Sequence, residues 1–96
     1  MRTVMAIHHR VSDFADWKKV YDSVRPMQAE GGVRFQQVLN QQSDPNMVYV
    51  THTFDTREAA DAFLANPELK AKMAEAGVDE SSVHVMFFDE VESGEI

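Results

Sequence analysis

The stretch Thr3–Val20, TVMAIHHRVSDFADWKKV, changes its hydrophobic period halfway along and thereby decides the fold. Thr3–Arg10 is typical of a strand, whose alternate side chains fall on two opposite faces. After Ser12 or Asp13, either of which can cap a helix, apolar positions recur every three or four residues. These positions are Phe14, Trp17, Val20, Tyr21, Val24 and Met27. A strand followed by a helix with one buried face is therefore predicted at the start of the chain.

A β-hairpin is predicted after this helix. Pro26 lies late in the helical stripe, where its ring predicts a kink or a break, and Gly31-Gly32 ends the helix. Val33–Gln42 and Met47–Phe54 are both typical of strands. The residues between them, Ser43–Asn46, have the composition of a tight turn, so the two strands are expected to pair.

A second helical region follows the hairpin. It begins at Asp55 or Thr56, and Glu58 is spaced to complete a capping box from Asp55. Asn66-Pro67 can cap and start a further helical segment, because a missing N–H is tolerated at the first helical position. Gly77 is a natural end for that segment.

A last strand, Ser82–Asp89, completes the order β-α-β-β-α-β. For 96 residues this order favours an α+β fold, the ferredoxin-like sandwich with a four-stranded antiparallel sheet covered on one face by helices. We treat residues 1–96 as a single domain that ends in an acidic tail at about residues 90–96. The uncovered sheet face is too apolar for open solvent, which predicts a homodimer that packs sheet against sheet. Its expected interface residues include His8, His84, Met86 and Phe88.

Composition excludes several classes of function. The net charge of −7 argues against nucleic acid and anionic membrane as partners, because both require a basic surface. The absence of cysteine excludes disulfides, thiolate catalysis and thiolate metal sites. The chain carries no signal-like or membrane-spanning apolar run, so we expect a cytoplasmic protein.

Two histidines are predicted to face the helices. Strand parity places His9 and His52 on the more apolar, inward face, and His8 on the opposite face. A buried histidine is most often a core residue, but two on one surface favour a polar pocket, and neutral imidazole can move protons near pH 7. We therefore predict His9 and His52 as catalytic candidates. Two possible ligands without a helical HxxxH spacing do not predict a metal site, and no cofactor motif occurs.

The inward face also supplies candidates for contact with a substrate. An indole or a phenol suits an aromatic ligand, although such residues are core by default. The predicted cavity residues are Trp17, Tyr21, Val50, Phe54, Phe63 and Phe87.

Four runs resemble the dimeric α/β-barrel superfamily, and within it the small antibiotic biosynthesis monooxygenase-like or cyclase-like proteins. The runs are HRVSDFADWKKVYD, GGVRFQQV, SDPNMVYV and FDTREAADAFLANPELKAKMAEAGV, and the resemblance extends from about Val4 to Val91. It implies a homodimer with a ligand cavity between the sheet and the helices of each subunit. Members include cofactor-free oxygenases of aromatic polyketides, polyketide cyclases, haem-degrading enzymes and lactone isomerases.

The resemblance transfers few functional residues. His9 corresponds to a pocket histidine on the first strand of plant polyketide cyclases. Those cyclases also use a tyrosine and a histidine at places that correspond here to Phe63 and Leu69, which cannot transfer a proton. The Asn/Trp/His set of the haem-degrading members has no match.

Two functions follow as hypotheses. The first is a cofactor-independent small-molecule enzyme, of monooxygenase or cyclase type, in which His9 acts as general base towards a phenol or enolate and His52 is its partner or a substrate anchor. The alternative is a non-catalytic dimeric ligand-binding or stress-related module. A cavity of several hundred Å3 beside His9 would favour the enzyme, whereas a filled core would favour the alternative.

Overall fold

The computed structural model describes all 96 residues, and its elements follow the predicted β-α-β-β-α-β order. The four strands are β1 (Thr3–Arg10), β2 (Phe35–Gln41), β3 (Asp44–Phe54) and β4 (His84–Asp89). The four helices are α1 (Phe14–Ser23), α2 (Arg25–Glu30), α3 (Arg57–Ala65) and α4 (Pro67–Glu75), and a 3-10 turn spans Glu80–Ser82. No helix is both long and apolar enough to cross a membrane.

One sheet holds all four strands in the order β2-β3-β1-β4, and every pairing is antiparallel. The predicted ferredoxin-like α+β fold is thereby confirmed. In the register, Met5 of central strand β1 lies between His52 of β3 and Phe87 of β4. Two residues on, Ile7 lies opposite Val50, so alternate residues of the three strands share the helix-covered face.

The first helical region breaks where proline predicted a break. Asp13 caps α1, accepting a hydrogen bond from the Asp16 backbone at 3.0 Å. The chain leaves α1 at Val24, and Pro26 then occupies the first turn of α2, where its missing N–H costs no helical hydrogen bond. Gly31 ends α2 as expected.

Helix α3 uses one of its two predicted caps but not the predicted capping box. Thr56, not Asp55, is the N-cap, and its hydroxyl accepts from the Ala59 backbone at 3.1 Å. With the helix starting one residue later, the predicted box from Asp55 to Glu58 does not form. The Asp55 carboxylate instead accepts two bonds from Arg34 at 3.0 and 3.1 Å, tying α3 to the start of β2.

The hairpin turn is also tighter than predicted. It is confined to residues 42–43, because Gln41 already pairs with Asp44 and the register shifts by a bulge after Asn40. Asp44 accepts a bond from the Asn46 backbone at 3.2 Å, so the expected turn chemistry is present but lies inside the start of β3.

Strand β4 begins at His84 because the preceding 3-10 turn uses residues 80–82.

Two hydrophobic clusters fill the space between sheet and helices. One cluster packs α1 on the sheet and includes Trp17; the other packs α3 on the sheet and includes Phe54 and Phe63. The opposite sheet face is bare and apolar: Phe35 is 60% exposed and Phe88 51%. Residues 90–96 continue from β4 without regular structure.

Candidate functional site

A small cavity lies between the sheet and helices α1, α3 and α4. Its volume is about 60 Å3, far below the several hundred Å3 expected for an aromatic substrate site. Its walls are almost entirely apolar, and they include most of the residues predicted to line a site. These are His9, Trp17, Tyr21, Val50, His52 and Phe63.

Two predicted cavity residues lie outside it. Phe54 has no exposed surface and packs beneath the cavity, edge-on to His52 at 6.4 Å between ring centroids. Phe87, on the outer strand β4, lies under the Arg57 guanidinium at 3.6 Å from its ring centroid. Both lie on the helix-covered side of the sheet, as parity requires, but neither lines the cavity.

His52 is held by a chain of polar groups that starts on α1. The Tyr21 hydroxyl donates to Gln36 Oε1 at 2.9 Å and lies 3.0 Å from His52 Nε2. Because a phenol has one hydrogen to donate, His52 Nε2 carries the imidazole hydrogen and donates it to the Tyr21 oxygen. His52 Nδ1 is then an unprotonated acceptor, and it has no partner.

Burial fixes the charge of this group. His52 is only 4% exposed, and desolvation lowers its pKa to about 4, so the imidazole is neutral at pH 7. Burial likewise raises the pKa of Tyr21, an effect that the side-chain amide of Gln28 opposes. Gln28 is itself buried, and its Oε1 has no partner.

Gln28 and Gln36 are polar residues that sequence reasoning missed. Gln36 lies directly opposite His52 in the β2–β3 register, which the sequence alone does not fix. Gln28 follows a predicted apolar position on a short helix and carries no distinguishing signal. The alignment of β2 with β3, if it were known, would have been enough to identify Gln36.

His9 occupies the other end of the cavity. It is 4% exposed, its ring meets Trp17 edge-on at 5.8 Å, and its Nδ1 has no partner. Burial lowers the pKa of His9, and nearby His8 lowers it further. His9 pairs with Val48 whereas His52 pairs with Met5, a separation of four residues or about 13 Å along the strands. The two histidines are therefore not hydrogen-bond partners of one another.

Lys72 is the one charged side chain among the cavity residues. Lys72 lies on α4 next to Met73, at the rim of the cavity. Its side chain is 41% exposed, and its ammonium pairs with Glu75 of the same helix at 3.1 Å.

Helix α4 separates the cavity from two larger open spaces. A groove of about 700 Å3 shares the walls Val24, Phe63 and Lys72 with the cavity. A pocket of about 300 Å3 near β4 shares Ile7, Leu69 and Met73 with it. Since α4 contains no fully buried residue, it is the least firmly packed wall of the cavity.

The remaining histidines lie on the other side of the sheet. His8 stacks between Tyr49 and His84, with ring centroids 5.1 and 4.8 Å away. No group of three or more histidine, aspartate or glutamate side chains is arranged to hold a metal ion.

No protein-family model and no curated protein matches the chain, but solved structures do. SnoaB from Streptomyces nogalater, a cofactor-independent oxygenase, superposes with a TM-score of 0.79 at 13% identity over 96% of this chain and 95% of its own. A protein from Bordetella bronchiseptica assigned as an antibiotic biosynthesis monooxygenase gives 0.80 at 12% identity over 95% and 98%. A similar assignment from Deinococcus radiodurans gives 0.71 at 15% over 100% and 98%. The chain therefore has the fold of the antibiotic biosynthesis monooxygenase proteins, as the resemblance implied.

Proposed function

We propose that this chain is a cofactor-independent small-molecule enzyme, of monooxygenase or cyclase type, that acts on an aromatic or polyketide-like substrate between its sheet and its helices. One observation carries the proposal: two buried histidines, each with an unpartnered ring nitrogen and a lowered pKa, line the same aromatic-walled cavity. Buried polar atoms without partners are uncommon in folded proteins and are frequent at functional sites. The fold shared with SnoaB supports the same reaction class.

His9 is the proposed general base. Its lowered pKa keeps the imidazole neutral and able to accept a proton at pH 7. In an oxygenase reaction it would remove a proton from a phenol or an enolisable aromatic ketone, leaving an electron-rich carbon that reacts with oxygen. In a cyclase reaction the same carbon would attack a carbonyl group.

His52 is proposed as an anchor rather than as a base. Its Nε2–H is directed to Tyr21, and its Nδ1 is free to accept a hydrogen bond from a substrate hydroxyl. The Tyr21–Gln36 bond fixes the orientation of this ring, so the acceptor is held in place before a ligand arrives.

The cavity volume favours a second candidate function. At about 60 Å3 the space holds a few water molecules, whereas ligand sites have volumes of about 300–1,000 Å3. If the cavity stays closed, a non-catalytic module with two core histidines is the better account. The enzymatic function requires α4 to move outwards, so that the cavity and the neighbouring groove become one space.

Oxygen uptake in the presence of anthrone tests the proposal. Anthrone is a tricyclic ketone whose methylene carbon can lose two hydrogens and gain one oxygen atom to give anthraquinone. The second oxygen atom leaves as water, so the substrate supplies all four electrons. We expect protein-dependent uptake that is lost in His9→Ala and is partly restored by added imidazole, because a small base can enter the space left by the side chain.

The possible results separate the two functions. Binding of anthrone without turnover, or His9→Ala activity equal to that of the unsubstituted protein, would favour the non-catalytic module. Rescue by imidazole distinguishes a missing base from a damaged fold, which no soluble base repairs.

A second copy of the chain is the proposed partner of the bare sheet face. The exposed large apolar residues on this face are Phe35, Leu39, Tyr49, Met86 and Phe88, and they are distributed over strands β2, β3 and β4. Exposed apolar side chains gathered on one face of a sheet are typical of an interaction surface. Sheet-to-sheet packing of two copies would cover it and leave the cavity, on the other side of the sheet, accessible from α4.

A further inference from the structure

We propose that Lys72 selects the ligand of this site, and that the ligand is an aromatic molecule carrying an anionic carboxylate. The inference rests on the proposed function and names its substrate class. In this arrangement the ring system occupies the apolar cavity, and the anionic oxygen meets the Lys72 ammonium at the cavity rim.

The position of Lys72 supports this role. The cavity walls offer apolar and aromatic contact on every side but only one cation, and the groove beyond contains no other. A buried or half-buried anion requires a charged partner or several hydrogen bonds, because desolvation is otherwise costly. Lys72 is the only side chain at this rim that can provide the charge.

The present partner of Lys72 can be exchanged. Glu75 lies three residues away on the same helix, and both side chains are exposed to water over roughly half their surface, at 41% and 58%. Pairs of this kind stabilise a helix by about 0.2–0.5 kcal/mol. A ligand carboxylate in the less polar cavity mouth is expected to bind the Lys72 ammonium more strongly than the exposed Glu75 carboxylate does.

The same side chain is part of the partition between cavity and groove. The three shared walls are Val24, Phe63 and Lys72. Val24 and Phe63 are buried and held by their neighbours, and Gly31 leaves no room behind the Phe63 ring. Lys72 has a long, half-exposed stem, so it is the part of the partition that moves most readily to admit a ring.

Acidic residues restrict where the ligand anion can lie. Glu30 and Glu68 line the groove, and the whole chain carries a net charge of −7. An anion is therefore repelled from the outer groove and is favoured only close to Lys72. The expected ligand has its charge at one end and its apolar rings at the other.

Calorimetric titration with two matched probes tests the inference. The probes are 2-naphthoate and 2-naphthalenemethanol, which share the ring system and differ in charge. We expect the protein to bind the carboxylate at least fivefold more tightly, and Lys72→Met to abolish that preference while keeping affinity for the alcohol. Glu75→Gln should strengthen naphthoate binding, because it removes the competing carboxylate.

Lys19→Met is the matched control, since Lys19 is an exposed lysine on α1 and lines neither the cavity nor the groove. It should leave both affinities unchanged. If both probes bind equally, or if Lys72→Met and Lys19→Met behave alike, Lys72 is not the selecting group. If neither probe binds the unsubstituted protein, the proposed ligand site itself is overturned, a result distinct from the loss of charge preference.

Discussion

Lowering the pH from 7 to 4 should destabilise this protein through His52. In the unfolded chain His52 binds a proton near its ordinary pKa of 6.5, whereas in the folded protein burial holds the pKa near 4. Between pH 6.5 and pH 4 the unfolded chain binds this proton and the folded protein does not. The free energy of unfolding therefore has its full value above pH 6.5 and decreases as the pH falls towards 4. Each pH unit costs about 1.4 kcal/mol, which gives a loss of about 3 kcal/mol across the window.

His52→Gln isolates this contribution. Glutamine does not titrate, and its amide can still donate to the Tyr21 hydroxyl. Urea unfolding followed by Trp17 fluorescence, at fixed protein concentration and at pH 7, 6, 5 and 4, measures the free energy of unfolding of both proteins. We expect the curve of the unsubstituted protein to fall about 3 kcal/mol further than that of the variant.

Other groups change this comparison little. The pKa of His9 is also lowered by burial, so His9 adds a loss of the same sign to both proteins, and it cancels in the difference. The pKa of Asp44 is lowered by Arg10, but its ordinary value of 3.8 places its titration below the window. Parallel curves for the two proteins would refute a neutral, desolvated His52.

Two further predictions concern packing. Gly31→Ala should destabilise the protein by about 1–3 kcal/mol, because the new Cβ would lie 2.6 Å from a ring carbon of Phe63. The control, Gly94→Ala, should be neutral, because no atom lies within 4 Å of the new Cβ. Thermal unfolding of the two variants measures the difference. Phe88→Lys should convert the proposed dimer to a monomer in light scattering after gel filtration, with Ala74→Lys on the exposed face of α4 as the control. A Phe88→Lys protein that keeps the mass of two chains would exclude this face as the interface.

Much of the fold could be predicted because local signals and hydrophobic period agree along the chain. Asp13, Pro26, Asn66 and Gly77 each act where the sequence indicated, at a cap or at a break. Thr56 shows the limit of such signals: two adjacent residues can both cap a helix, and the contact of Asp55 with distant Arg34 decides between them. That contact depends on the tertiary structure and leaves no local pattern.

The candidate site could be predicted in part, because the alternation of side chains along a strand is visible in the sequence. Strand parity alone places His9 and His52 under the helices, and the structure finds both there. Parity does not give register, so neither the separation of the two histidines nor the alignment of Gln36 with His52 followed from the sequence. Lys72 was missed because a lysine on a helix is usually solvated, and only the packing of α4 brings it to the cavity rim.

The location of a bound aromatic ligand tests the central claim most directly. In nuclear Overhauser spectra of the protein with 2-naphthoate, we expect contacts from the naphthalene protons to the Trp17 indole and to the Val50 methyl groups, since both line the cavity between sheet and helices. Contacts confined to Phe35 and Leu39 would place the ligand on the opposite face of the sheet and would contradict the account.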